Sequence, residues 1–254
     1  MINIEQISID LSNYCSKGCP FCYNSSNRDG ATSWEPSEVI AFVKSCIEGG
    51  VKAVSLGGGE PLEYEGVFDI IEALYPLTYL TLTTNGLPLD TPSVIESIKL
   101  RQPDKIHISI HHADNEKEVA RVLRQITLLE DLGIKPGVNL LVNADKVEHC
   151  KSAYGSLRKL LEKDQIILIP QRFNDTPTAQ QLASVTGSEP FQSPSCLLKC
   201  ERPKHFASIS WDKKVNSCSF AHGKVLLDTL DYKGMLRALE EVEWRSCEAV
   251  RNDV

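Results

Sequence analysis

The chain of 254 residues lacks the features of membrane, disordered and fibrous proteins. No apolar run approaches the roughly 18 to 20 residues that a membrane helix requires. Glu5 and Asp10 stand where a secretory signal would carry basic and then apolar residues. No low-complexity tract is present, and 42% hydrophobic with 24% charged residues is an ordinary globular composition. We therefore expect a globular, cytoplasmic protein without a membrane partner.

The sequence also lacks an excess of positive charge. Its 27 Lys and Arg residues against 34 Asp and Glu residues give a net charge of −7. A nucleic-acid partner would therefore need a basic groove confined to one part of the surface. We expect no nucleic-acid partner.

Cysteine, by contrast, is abundant, with nine residues. Disulfides are rare in a reducing compartment, and an odd number of thiols cannot pair completely. Ligation of a metal or cluster explains most of them better. Cys46 and Cys150 fall inside predicted helices and are interpreted as core or surface residues without a ligand role.

Apolar runs rich in β-forming residues alternate with amphipathic stretches from residue 4 to about residue 173. Strands are predicted at 4–11, 51–56, 79–84, 105–111, 138–142 and 166–169. Helices are predicted at 36–48, 66–74, 92–100, 115–132 and 146–163. This alternation predicts βαβ units and a parallel sheet. Six repeats are too few for a closed eight-stranded barrel, which leaves an open doubly wound sheet or an incomplete barrel. Either one binds ligands at the carboxyl ends of its strands.

The character of the chain changes after Phe173. Residues 174–194 are rich in Thr, Ser, Gln and Pro, and cysteines, a hairpin and an amphipathic helix follow. In the hairpin, Ala207, Ile209 and Trp211 alternate with polar residues before the chain returns over 215–220. We predict a core domain at 1–175 and a small α+β extension at 176–254, which is small enough to gain stability from a metal or cluster.

Three cysteines stand directly after the first predicted strand, in the pattern CxxxCxxC: Cys15, Cys19 and Cys22. A structural zinc site usually takes four ligands, whereas this loop supplies three. On a 4Fe-4S cluster, three thiolates leave one iron open to a ligand from outside the protein. Buried structural cysteines are the simpler alternative.

With Phe21 before its third cysteine, the motif resembles that of the radical S-adenosylmethionine (SAM) family, CxxxCxΦC with an aromatic Φ. Further segments match in order, among them GGGEP at 57–61, TNG at 84–86 and the strand at 106–111. The resemblance implies a partial (β/α)6 barrel with a 4Fe-4S cluster on the three cysteines and SAM on the open iron. One-electron cleavage of SAM would then give a 5'-deoxyadenosyl radical that abstracts hydrogen from a substrate.

The resemblance also implies which residues bind SAM. The GGGEP segment is similar to the loop that hydrogen-bonds the methionine amino group, and bare glycines allow close backbone approach. His111 stands where the family often has Asp, and a half-buried histidine at a strand end is its simpler interpretation. The implied cofactor contacts are Phe21, Gly58, Gly59, Glu60, Asn85, Ser109, His111, Asn139, Val142 and Arg172, the last touching adenine or substrate.

The C-terminal cysteines resemble those of the twitch, or shortened SPASM, extension of the same family. There a hairpin with a pattern like DGxVxxC helps to hold an auxiliary 4Fe-4S cluster; here Lys213 replaces its Gly. Zinc, with His205 or His222 as a further ligand, is the main alternative, and free structural cysteines are the other. The proposed ligands of one auxiliary cluster are Cys196, Cys200, Cys218 and Cys247.

The resemblance does not determine the substrate. Family members with an auxiliary cluster modify ribosomally made peptides or oxidise small alcohols and amines. The first strand begins at residue 4, so we expect either a separate peptide-recognition protein or a small-molecule substrate. We favour maturation of a ribosomally made peptide, with flavodoxin or ferredoxin as electron donor.

Other functions stay open. A radical SAM enzyme acting on a small alcohol, amine or sugar is one, and a glycyl-radical activase is another, although the simplest activases end with the barrel. A non-enzymatic iron-sulfur or zinc protein, used for electron transfer or as a scaffold, is the third. Such a protein would not need a glycine-lined site like GGGEP.

Overall fold

The computed structural model describes residues 3–172, 175–188 and 201–245. These residues contain nine strands: β1 (Gln6–Asp10), β2 (Ala53–Gly57), β3 (Tyr79–Thr84), β4 (Lys105–Ile110), β5 (Lys135–Val142), β6 (Ile166–Pro170), β7 (Phe206–Ile209), β8 (Lys214–Asn216) and β9 (Val225–Leu226). They also contain seven α-helices: α1 (Pro36–Glu48), α2 (Val67–Leu74), α3 (Pro92–Leu100), α4 (Glu116–Asp131), α5 (Val147–Leu157), α6 (Ala179–Val185) and α7 (Tyr232–Glu241).

The expected α/β fold, a partial (β/α)6 barrel, is confirmed. Each of the first six strands is followed by a helix, and the pairs β1–β2, β2–β3, β4–β5 and β5–β6 are parallel. In the described residues β6 and β9 are edge strands, so the sheet does not close into a barrel. By their contacts the residues form two compact units.

The first unit combines 1–83, 93–104 and 201–254. Its strands lie in the order β3-β2-β1-β7-β8-β9. Strand β7 runs parallel to β1, with Gln6 opposite Phe206, and β8 and β9 follow antiparallel. The C-terminal hairpin therefore continues the sheet that begins at the N-terminus. The division at residue 175 stays a prediction.

Helix α1 shows how local chemistry sets the bounds of this unit's elements. Pro36 occupies its first turn, where a missing backbone N–H removes no helical hydrogen bond. The Glu38 carboxylate accepts a hydrogen bond from the Glu35 N–H at 3.0 Å, which completes a capping box. The helix begins and ends where the sequence predicts.

The second unit combines 84–92 and 105–200, with strand order β6-β5-β4. In β4, Ile106, Ile108 and Ile110 are fully buried, while His107 and Ser109 alternate with them on the opposite face. Asn115 caps the start of helix α4, and its side chain accepts hydrogen bonds from the backbone N–H groups of Lys117 and Glu118. His107 and Ser109 thus lie on one face of β4, and its three isoleucines lie on the other.

Several predicted bounds were wrong. Strand β5 begins at Lys135 rather than 138. Pro136 is tolerated in it because β5 pairs there with β4 alone, so the missing N–H of the proline removes no hydrogen bond to β6. Helix α5 ends at Leu157 rather than 163, since a short 3-10 turn at Lys163–Gln165 precedes β6. Helix α6 follows the sixth strand, where no helix was predicted. Strand β9 has only two residues, too few for a sequence pattern.

The two cysteines inside helices lie in the core. Cys46 of α1 and Cys150 of α5 have no exposed surface. Burial raises the pKa of the Cys46 thiol to about 12, so it stays protonated at neutral pH. Neither is suited to ligation.

Among the described helices, none has both the length and the apolar character that crossing a bilayer would require.

Candidate functional site

The segment of residues 12–31, called here the cysteine loop, follows β1 and folds back on itself. The N–H of Asn13 donates to Ala31 O at 3.0 Å, and that of Asn27 donates to Asn13 O at 3.1 Å. The Cys15 N–H donates to Asn27 O at 2.9 Å. These bonds close the loop at its base, so the three motif cysteines are held at the carboxyl end of β1.

The three thiols differ in exposure, since Cys15 is 7% exposed and Cys19 and Cys22 are partly exposed. None forms a disulfide. Across the part of the chain that the structure describes, no three Cys, His, Asp or Glu side chains lie close enough to share one metal ion. A 4Fe-4S cluster binds each thiolate on a different iron, so its ligands are spread more widely. Three thiols on one loop match that donor set.

The segment of residues 57–61, called here the glycine loop, packs directly on the cysteine loop. The Gly59 N–H donates to Ser12 O at 2.7 Å, and the Glu60 N–H donates to Tyr14 O at 2.8 Å. A β-carbon at Gly58 would lie 2.5 Å from Ser12 O, and one at Gly59 would lie 1.8 Å from Tyr14 O. Gly58 also has a φ of 121°. Only glycine permits this contact between the two backbones.

Two acidic residues complete the glycine loop and the turn after it. Glu60 is fully buried, and its carboxylate accepts a hydrogen bond from Leu62 N at 3.1 Å. Glu63 accepts from Ser16 N at 2.9 Å and from Ser16 Oγ at 2.5 Å. Arg28 Nε donates to Ser16 O at 2.9 Å. Glu63 is therefore a second contact between the two loops, and sequence reasoning missed it.

Asp10, the last residue of β1, was also missed. It is 1% exposed, the Tyr23 hydroxyl hydrogen-bonds its carboxylate, and its Oδ2 atom has no hydrogen-bond partner among the described residues. Burial raises the pKa of Asp10 to about 6, against opposing effects of Lys224 and the Tyr23 hydrogen bond, while Asp212 adds to the rise. An acidic residue ending an apolar strand before the cysteines was the available signal.

The Tyr23 ring joins this carboxylate to the C-terminal hairpin. Its ring centroid lies 5.0 Å from that of Phe220, with the planes tilted by 54°. The negative charge of Asp10 holds the pKa of Tyr23 well above its usual range. Tyr23 therefore stays a hydrogen-bond donor at neutral pH.

Residues after the cysteine loop are fastened to the same hairpin. Trp34 Nε1 donates to Ser210 O at 3.1 Å, and Ser33 N donates to Trp211 O at 3.0 Å. Lys213 Nζ contacts both Glu38 carboxylate oxygens, at 2.8 and 2.9 Å, and lies 5.2 Å from the Trp34 ring centroid. These contacts fix the hairpin against the segment that leaves the cysteine loop.

Lys213 has a φ of 59°, in the left-handed region that favours glycine. This explains why the resembling family pattern has Gly at the same point of its hairpin. In this chain the backbone strain is offset by the ion pair with Glu38.

Of the four proposed auxiliary-cluster ligands, only Cys218 is described; it is partly buried and lies after β8. His205, a residue of the zinc alternative, hydrogen-bonds through Nδ1 to Asn3 O at 2.9 Å. The carbonyl of His222 accepts from Asn216 Nδ2 at 3.0 Å. The other three ligands lie outside the described residues: Cys196, Cys200 and Cys247.

The face of the first unit's sheet opposite its apolar core carries a row of hydroxyl groups. Ser8 of β1 is in register with Ser208 of β7 and Ser55 of β2, and Ser55 is in register with Thr81 of β3. In these four strands, that face carries no Lys or Arg. Asp10 contributes its one carboxylate.

In the second unit, Ser109 and Asn139 lie side by side on β4 and β5. Ser109 is 8% exposed, and Asn139 Oδ1 is buried without a well-aligned hydrogen bond in the described ranges, although the Asn139 side chain lies within reach of the His107 ring. His107 precedes them, and Gly137 opposite makes room for its ring, since a β-carbon there would lie 2.8 Å from His107 Cε1. Burial, and then Lys105, lowers the pKa of His107 to about 4, so the ring is neutral.

Two other predicted cofactor contacts of this unit, Asn85 and His111, form hydrogen bonds within the chain. The Asn85 side chain accepts from Leu87 N at 2.8 Å, and its carbonyl accepts from Arg121 at 3.0 Å. The His111 N–H donates to the Glu118 carboxylate at 2.6 Å. As cofactor contacts, Asn85 and His111 stay predictions.

Three predicted contacts are defined mainly by position. Val142, at the end of β5, is fully buried. Arg172 follows β6, and Phe21 lies partly exposed in the cysteine loop. Their cofactor roles likewise stay predictions.

A sequence model of the radical SAM superfamily matches residues 9–142, more than half of the chain. This chain belongs to the radical SAM superfamily. The match spans both the cysteine loop and the glycine loop. Membership makes the protein a SAM-dependent iron-sulfur enzyme, as the sequence predicts.

Relatives at the sequence level are probable GTP 3',8-cyclases. The protein from Methanocella arvoryzae is 27% identical over 159 residues, 57% of this chain and 51% of that protein. The protein from Pyrococcus abyssi is 31% identical over 115 residues, 45% of this chain and 37% of that protein. The alignments thus span about half or less of these relatives.

Solved structures show the fold over nearly the whole chain. Streptococcus suis SuiB bound to precursor peptide SuiA has a TM-score of 0.71 at 15% identity, covering 99% of this chain and 67% of SuiB. The protein anSMEcpe with bound AdoMet and Cp18Cys peptide has a TM-score of 0.64 at 14% identity, covering 93% and 81%. At such identities the likeness establishes the fold alone.

Proposed function

We propose that this radical SAM enzyme cleaves SAM reductively at the joined cysteine and glycine loops and abstracts hydrogen from a ribosomally made peptide. The observation that carries the first part is the backbone pairing of residues 12–14 with Gly59 and Glu60. That pairing, which only glycine permits at these positions, sets the thiols of one loop directly beside the backbone of the other. When bound, the cluster and SAM supply a 5'-deoxyadenosyl radical.

In this proposal each loop has one role. Cys15, Cys19 and Cys22 hold the 4Fe-4S cluster as thiolates. Gly58 and Gly59 let the glycine loop pack on the cysteine loop and are the proposed contacts of SAM, while the buried Glu60 braces the turn that carries them. In the second unit, Ser109 and Asn139 are the proposed ribose and adenine contacts; their position side by side on paired strands supports this role.

The peptide substrate is supported by the polar face of the first unit. Binding a triphosphate takes several cationic groups that form charge-assisted hydrogen bonds. On that face the described strands β1, β2, β3 and β7 offer hydroxyls and the Asp10 carboxylate, and the lysine whose charge acts on Asp10 is Lys224, from outside these strands. Hydroxyls and a carboxylate suit the N–H donors of a peptide. Two of the structures with this fold have peptides bound.

A nucleotide is the second candidate substrate. The relatives of the cysteine and glycine loops are named as GTP 3',8-cyclases, at 27% and 31% identity. A small alcohol, amine or sugar would also suit a hydroxyl-lined face. The substrate experiment below separates a peptide from a nucleotide.

We also propose an auxiliary 4Fe-4S cluster on Cys196, Cys200, Cys218 and Cys247, and flavodoxin or ferredoxin as the electron donor of the enzyme. Its support is that Cys218 lies on the hairpin whose Phe220 contacts Tyr23, the residue after Cys22. A separate protein that delivers the peptide belongs to the same proposal.

Substrate is tested with anaerobically reconstituted protein, SAM and dithionite. Synthetic precursor peptides encoded beside the gene and GTP are added separately, and 5'-deoxyadenosine and substrate mass are measured. We expect 5'-deoxyadenosine to rise with a peptide, with a matching mass change in that peptide. Stimulation by GTP alone would replace the peptide with a nucleotide.

A further inference from the structure

Glu63 joins the two loops just beyond the motif residues. Its carboxylate accepts from both donors of Ser16, the N–H at 2.9 Å and Oγ at 2.5 Å, across 47 positions of sequence. Ser16 directly follows Cys15. On its other side, Arg28 Nε donates to the Ser16 carbonyl at 2.9 Å. Every polar group of Ser16 is therefore engaged, and two of them depend on Glu63.

Together with the glycine loop, this contact encloses the first cysteine. Ser12 O and Tyr14 O accept from the glycine loop before Cys15, and Ser16 donates to Glu63 after it. A charged acceptor makes the last contact stronger than an uncharged one. The spacing between the loops is thus fixed on both sides of Cys15.

We propose that Glu63 is a positioning residue that sets the spacing between the cysteine loop and the glycine loop and so the affinity for SAM. This rests on the proposed function, because SAM must reach both an iron of the cluster and the glycine loop. Glu63 contacts neither group itself; it acts through Ser16.

The strength of these bonds sets the expected effects. Glu63→Ala removes both acceptors and should weaken SAM binding about tenfold. Glu63→Gln keeps an uncharged acceptor for the Ser16 N–H, so it should recover part of the affinity. Ser16→Ala removes only the hydroxyl and should weaken binding about threefold. Because Ser16 and Glu63 act in one contact, the variant with both replaced by Ala should bind SAM no more weakly than Glu63→Ala alone.

The measurement is a SAM titration of reconstituted holoenzyme, followed through the electron paramagnetic resonance spectrum of the reduced cluster. Iron content and the spectrum before SAM addition report separately on the cluster. Hydrogen exchange at the Ser16 amide reports on the contact itself. Glu65→Ala, two residues further along and exposed, is the matched control.

The proposal expects weaker SAM binding and faster Ser16 exchange in Glu63→Ala, with neither change in Glu65→Ala. Unchanged SAM affinity in the cluster-containing fraction of Glu63→Ala, whether or not iron content falls, would overturn it. So would additive losses in the double variant. If wild-type holoenzyme binds no SAM, the proposed function fails instead.

Discussion

Replacing Asp10 with Asn should stabilise the cluster-free chain at neutral pH. The folded protein raises the pKa of this buried carboxyl from 3.8 to about 6. At about 1.4 kcal/mol per pKa unit, keeping it ionised opposes folding by about 3 kcal/mol. This loss in the free energy of unfolding is absent below pH 3.8, grows between pH 3.8 and about pH 6, and is complete above about pH 6. Lys224 and Tyr23 lessen it, and Asp212 adds to it.

The assay is urea unfolding of wild-type and Asp10→Asn protein at pH 8 and pH 5. Asn is neutral at both pH values. The variant's free energy of unfolding at pH 8 should exceed that of the wild type by about 1 to 3 kcal/mol, after the cost of a buried amide N–H without an acceptor is deducted. At pH 5 this difference should be about 1.4 kcal/mol smaller. Asp131→Asn, an exposed change at the end of α4, should stay within about 0.5 kcal/mol. A variant whose stability relative to wild type is the same at both pH values would refute the reasoning.

Two further predictions concern backbone and hairpin. Gly59→Ala should abolish SAM binding and destabilise the fold, since its β-carbon would lie 1.8 Å from Tyr14 O. Gly155→Ala is the control, because a β-carbon there meets open space in α5. In thermal unfolding it should be neutral or stabilising by up to about 1 kcal/mol. Lys213→Ala should lose about 1 kcal/mol with its Glu38 ion pair, less at high salt, and Lys213→Gly should lose less because glycine relieves the positive φ. Equal losses in both Lys213 variants would contradict this reading.

Much of the fold could be predicted because its elements carry local signals. Strand β3 lies at Tyr79–Thr84, as predicted, because Leu80 and Leu82 alternate with polar residues. The pairing of β7 with β1 joins residues about 200 positions apart, and no local pattern encodes such a partner. Strand β5 was set too late because Pro136 is unusual in a strand, and only the pairing geometry shows why it is tolerated.

The candidate site divides in the same way. The cysteine and glycine loops were predictable because their chemistry needs particular residue types at fixed spacing. Glu63 was not, because its role comes from a contact with Ser16 made only in the folded chain. Asp10 carried a signal in its place at the end of an apolar strand, but its contact with Tyr23 is visible only in the structure. Asn139 was predicted from its place in the fifth strand, but its position beside Ser109 on the paired strand is visible only in the structure.

The central claim is that the cysteine loop and the glycine loop form one site for cleaving SAM. The most direct test measures 5'-deoxyadenosine formed from SAM and dithionite by the reconstituted wild-type protein and by a variant with Cys15, Cys19 and Cys22 all replaced by Ala. We predict formation by the wild type, and by a Cys46→Ala control, but none by the triple variant. Undiminished 5'-deoxyadenosine from the triple variant would contradict the assignment.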